Sequence, residues 1–88
     1  MNTRELEQAL LDGPYAWPGG YPCYFITSDG AALSFEAVRS EFRQVIRAIR
    51  QGLNDGWRVV AVAINYEEPH LYCEHTGKLI ESAYSEDD

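Results

Sequence analysis

Positive charge is scarce in this sequence. Its 88 residues hold seven Lys+Arg against fourteen Asp+Glu, a formal charge of −7. That balance disfavours general phosphate-backbone binding, which needs clustered cations, and a basic membrane-surface peptide. Long apolar runs are missing too. The longest, Val59 to Ile64, is six residues, far short of a membrane span and suited to a buried strand. Only Cys23 and Cys73 supply thiols, too few for the cross-links on which small secreted domains depend. Met1 to Gln8 is mixed polar and lacks the apolar centre of a signal peptide. The expected location is therefore cytoplasmic, with reduced cysteines and no membrane partner. There is no glycine-rich phosphate cradle, because Gly19-Gly20 is followed by Tyr21-Pro22 and not by a helix start. Histidine occurs twice, at His70 and His75. Cys73 and His75, two residues apart on a turn, lack a third group to orient a base. No enzyme activity and no cofactor are expected.

What is present reads as a globular protein. The hydrophobic fraction is 45% and the aromatic fraction 12%, above the range of disordered chains. The length suits one small domain, 1–84, burying roughly 60–65% of its unfolded surface, followed by a frayed acidic tail at 85–88. Asn2 with Glu5 has the spacing of a capping box for a short N-terminal helix, which Asp12-Gly13-Pro14 ends. Tyr15 to Pro22 is an aromatic loop punctuated by Gly and Pro. Cys23 to Thr27 is strand-like, Ser28-Asp29-Gly30 is a turn, and Ala32-Leu33 returns.

Ser34 caps the main amphipathic helix, about 35–51. Phe35, Val38, Phe42, Val45, Ile46, Ile49 and Leu53 fill one arc of it. Trp57 to Tyr66 reads as a strand apolar on both faces, and hence central. Leu71-Tyr72-Cys73 and Lys78 to Ser82 form a hairpin about Glu74-His75-Thr76-Gly77. The fold class is α+β: the main helix packed on a small, mostly antiparallel sheet.

Two features point to partners. Arg39, Arg43, Arg47 and Arg50 lie within about 80° of one another on the helix. The helix carries four arginines and two glutamates, a local +2 in a chain otherwise at −9. Guanidinium forks suit carboxylates, so a protein with an acidic surface is the expected partner, and the −9 disfavours nucleic acid. A solvated face, with Glu36 paired to Arg39, is the plainer alternative. The second feature is the loop of Tyr15, Trp17 and Tyr21, stiffened by Pro14, Pro18 and Pro22. It either binds a partner at low entropic cost or lids a small core. The expected oligomeric state is monomer or weak homodimer.

Cys73-Glu74-His75-Thr76-Gly77-Lys78 has the frame of a zinc knuckle with one thiol. The segments Gly20-Tyr21-Pro22, Tyr24-Phe25, Asp29-Gly30, Leu33, Trp57-Arg58-Val59-Val60 and, above all, Leu71 to Tyr84 resemble a group of small phage and prophage proteins of unassigned function. Some of these look zinc-ribbon-like. Carried over, the ligand places fall on Ser34, Ala37, Cys73 and Thr76, of which only Cys73 is a thiol. The resemblance thus implies a degenerate zinc-ribbon-like C-terminal hairpin, held by packing and not by metal, and it implies no activity. Cys23, His70, Cys73 and His75 form a weaker candidate set of four zinc donors with no standard spacing. The functional expectation is a small non-enzymatic protein-interaction module of phage or prophage origin. The alternative is a zinc-ribbon-derived, nucleic-acid-associated or nucleic-acid-mimicking regulator of host or phage machinery.

Overall fold

Asn2 Oδ1 accepts the Glu5 N–H at 2.8 Å, and Glu5 Oε1 accepts the Asn2 N–H at 2.9 Å. The capping box starts helix α1, Thr3–Asp12. Gly13, at φ +88°, takes the chain out of the helix where other residues would be strained. The computed structural model describes residues 1–84; the tail at 85–88 lies outside them. Strands β1 (Tyr15–Ala16), β2 (Tyr21–Thr27) and β3 (Ala32–Leu33) follow, then helices α2 (Phe35–Ser40) and α3 (Phe42–Gln51), and strand β4 (Val59–Ile64). The architecture is α+β, with an antiparallel four-stranded sheet.

Two expectations need correction. The helix expected over 35–51 is two helices. At Glu41 the backbone turns to φ −113°, ψ 34°. The Ser40 hydroxyl donates to the Ala37 carbonyl at 3.0 Å, a side-chain bond that competes with the helical ladder. The Glu41 carboxylate is drawn to Gln44 Nε2 at 2.8 Å and to His75 Nε2 at 3.6 Å. The break divides the apolar arc. Phe35, Val38 and Val45 are buried, whereas Phe42, Ile46 and Ile49 only border the core.

The second correction concerns β4. It is not central: β2 is, taking β4 on one edge and β1 and β3 on the other. The register steps from Ile26↔Ala61 to Thr27↔Val59, leaving Val60 unpaired. Such a bulge resets the alternation of faces. Val59 is fully buried, while Val60 and Val62 are exposed. A continuous apolar run reads as a central strand; here it forms an edge. The aromatic segment also contributes an element that its irregular sequence conceals, since Tyr15 and Ala16 pair with Pro22 and Tyr21.

The core joins both helical layers to the sheet. Leu6, Phe25, Leu33, Phe35, Val38, Val45, Val59, Cys73 and Ile80 form one cluster. Phe25 and Phe35 meet with ring centroids 4.4 Å apart. Burying each side chain of this size stabilises the fold by roughly 1.5–3 kcal/mol. The C-terminal segment makes a hairpin through a Tyr72↔Leu79 bridge and docks on the β3 edge, where the Glu74 N–H donates to the Ala32 carbonyl at 2.9 Å.

Candidate functional site

Three of the four stripe arginines act together, and one does not. Arg39 Nη2 donates to the Leu10 carbonyl at 2.7 Å, tying α2 to the end of α1. Glu36 does not pair with it; its carboxylate lies 3.7 Å from Lys78 Nζ. Beyond the break, Arg43, Arg47 and Arg50 project from α3 into solvent. With Glu7, Phe42, Ile46 and Gln51 they line a groove of about 430 Å³. Among the described residues these three guanidinium groups make no ion pair and no side-chain hydrogen bond. Phe42 and Ile46 are half-buried in the same groove, so three cations surround an apolar floor.

A second arrangement surrounds Cys73, which is 1% exposed. The Ser34 N–H donates to its Sγ at 3.4 Å. Burial pushes the thiol up from an ordinary 9.0. The Ser34 N–H, the Thr76 hydroxyl, the Thr76 N–H and the Ser34 hydroxyl outweigh burial and bring it down to about 7. Thus Ser34, Cys73 and Thr76, three positions singled out by the resemblance, lie together. The fourth, Ala37, is fully buried and donates its N–H to Ser34 Oγ at 3.1 Å. One sulfur with hydroxyl and amide neighbours is a hydrogen-bonded anchor, not a four-donor metal set.

The wider set of Cys23, His70, Cys73 and His75 is not gathered. Among the described residues no group of three or more His, Cys, Asp or Glu is placed to hold a metal ion. His70 is exposed. His75 turns to Glu41 and meets Trp57 edge-on, with centroids 4.9 Å apart. Both cysteines are free thiols. Burial pushes the Cys23 thiol up.

The aromatic loop divides as well. Trp17 is 76% exposed and therefore does not lid the core. Its ring lies over Gly20, where a Cβ would approach within 3.2 Å. The Tyr15 hydroxyl donates to Glu81 Oε1 at 2.7 Å, and the carboxylate holds the phenol above its usual range. Tyr21 joins Tyr66 and Tyr84, with centroids 5.6 and 6.0 Å away. That cluster unites residues remote in sequence, and only the pairing of Tyr21 with the chain's end reveals it.

Sequence reasoning also missed Asn65, which is 2% exposed. Its Nδ2 donates to the carbonyls of Glu68 and Glu81 at 3.1 Å and of Ile80 at 3.4 Å. A polar residue ending an apolar run is the available signal: buried amides are kept for their hydrogen bonds. Among the described residues no helix is long and apolar enough to cross a membrane. No family model, curated protein or solved structure matches the chain.

Proposed function

We propose that this chain is a non-enzymatic interaction module that docks an acidic segment of a partner protein in the α3 groove. The observation that carries the reading is the set of three guanidinium groups, Arg43, Arg47 and Arg50, unengaged among the described residues, around the apolar floor of Phe42 and Ile46. Guanidinium forks favour carboxylates, and arginine beside an apolar pocket is the usual composition of an interface hot spot. A partner presenting Asp or Glu on either side of one apolar side chain satisfies both parts. Nucleic acid fits less well, because the chain's net charge of −7 repels a polyanion beyond the groove. The resemblance to small phage and prophage proteins supports a partner within host or phage machinery, in the cytoplasm. It also supports descent from a zinc ribbon, with Ser34, Cys73 and Thr76 at former ligand places.

The test is charge reversal in Arg43→Glu with Arg47→Glu. Both side chains are exposed, so circular dichroism and thermal midpoint should stay near wild type while affinity capture of the partner is lost. Unchanged capture by the double variant refutes the groove as the docking site. A salt-sensitive gel shift with DNA or RNA would transfer the reading to nucleic acid.

A further inference from the structure

Strand β4 ends the sheet with an open edge. Its one strand neighbour among the described residues is β2. The Asn65 N–H donates to the Pro22 carbonyl at 2.8 Å. By the alternation of an antiparallel ladder, Ala61 and Ala63 bond toward β2, and the N–H and C=O groups of Val62 and Ile64 face outward. At the bulge, the Val60 carbonyl accepts from the Met1 amino group at 3.4 Å. At the other end the Tyr66 carbonyl accepts the Tyr84 N–H at 2.8 Å. Among the described residues the free hydrogen-bonding edge is therefore Val62 to Ile64, bounded on both sides by groups already engaged.

Natural edges are commonly blunted by Lys, Pro or inward charges. Val59–Ile64 contains none of these; its one blunting device is the bulge at Val60, which lies outside the stretch Val62 to Ile64. Side chains along the edge are exposed: Val60 is 40% exposed, Val62 37% and Tyr66 48%.

We propose that β4 pairs antiparallel with β4 of a second copy, about a two-fold axis at Ala63. In this register Val62 faces Ile64 of the partner subunit, and the outward groups of both exchange about four main-chain hydrogen bonds. Moving the axis to Val62 or Ala61 requires the Val60 carbonyl, which Met1 holds. Moving it to Ile64 or Asn65 requires the Tyr66 carbonyl, which Tyr84 holds. Ala63 is the register that uses free groups alone. The pairing is isologous and closes as a dimer. A contact of so few residues is small, so the dimer is a weak one.

Sedimentation equilibrium of the full chain, from micromolar to near-millimolar concentration, reads the association directly. The expected result is a mass rising from the 10.0 kDa monomer toward twice that value, with Val62→Lys remaining monomeric at equal fold content. Cysteine pairs then test the register. A directly opposed non-hydrogen-bonded pair has Cα atoms about 4.5 Å apart, within disulfide reach. Ala63→Cys should therefore cross-link to a covalent dimer on mild oxidation. The two Ala61→Cys side chains of a dimer lie roughly 13 Å apart along the strands and should give no more cross-link than wild type, which controls for Cys23. A monomer at every concentration leaves the edge to some other strand and overturns pairing between copies. Equal cross-linking of Ala61→Cys and Ala63→Cys overturns the register, as does association that survives Val62→Lys. Should Ala63→Cys fail to fold, the Val62→Lys comparison decides alone.

Discussion

At the scale of single residues, Cys73 couples pH to folding. Its thiol titrates near 7 in the folded chain, against an ordinary 9.0, because donors from Ser34 and Thr76 favour the thiolate more than burial disfavours it. The folded state therefore binds fewer protons than the unfolded state between these values. The contribution is fully present above pH 9 and is lost as pH falls through 7. Between pH 6 and 8.5 the gain should be about 2 kcal/mol, read from urea unfolding at each pH. Holding the upper limit at 8.5 avoids Cys23, whose raised thiol acts in the opposite sense above its ordinary value. Cys73→Ser removes the titrating group and should flatten the profile across this window. A wild-type profile that is already flat removes the thiolate from the account. The same burial makes the thiolate slow to react with external reagents, since reactivity needs access as well as charge.

At the scale of elements, small residues occupy fully buried positions of α2 and α3. Ala37 and Ala48 are fully buried. The periodic arc of large apolar residues did not include either, because alanine carries almost no hydrophobic signal of its own. Ala48→Leu adds three carbon atoms where there is no room and should cost about 1–3 kcal/mol, seen as a lower midpoint in thermal unfolding. An unchanged midpoint would mean that α3 is held more loosely than the burial of Ala48 implies. Much of the local structure was legible from sequence. The Asn2–Glu5 box, the Ser34 cap, the Ser28–Gly30 turn, the return strand at Ala32-Leu33 and the Tyr72–Leu79 pairing each follow from chemistry within a few residues. The errors arose where a distant contact overrides a local pattern. Helix 35–51 turns at Glu41, where the Ser40 hydroxyl shares the Ala37 carbonyl with the Glu41 N–H and the Glu41 carboxylate meets His75 from the distant C-terminal hairpin. Val59–Ile64 lies at an edge because short β3 and β1 share the other side of β2. The arginine stripe was visible as a spacing of residues, but the engagement of Arg39 by Leu10 depends on where α1 packs. The groove floor at Phe42 and Ile46 emerges only once the break turns α3.

At the scale of the whole molecule, the charge of −7 bears on the two proposed surfaces in opposite directions. Two copies joined along β4 bring together two bodies of like net charge. Their repulsion is long-ranged in dilute buffer and is screened as the Debye length shortens from roughly 30 Å at 0.01 M to 8 Å at physiological ionic strength. The strand contact itself is made of main-chain hydrogen bonds and apolar side chains, which salt leaves largely intact. Raising salt should therefore tighten the dimer. Docking of an acidic segment on Arg43, Arg47 and Arg50 is attraction between exposed opposite charges, and the same screening weakens it. Sedimentation of the full chain and titration with an acidic, apolar-centred peptide, each at about 0.02 M and about 0.5 M salt, should give association constants that move in opposite directions. Val62→Lys should abolish the first response and leave the second, while the Arg43→Glu, Arg47→Glu variant should do the reverse. If both equilibria weaken together with salt, the β4 contact is electrostatic and the strand pairing is wrong. If both strengthen, the α3 groove binds its ligand through Phe42 and Ile46 without help from the arginines.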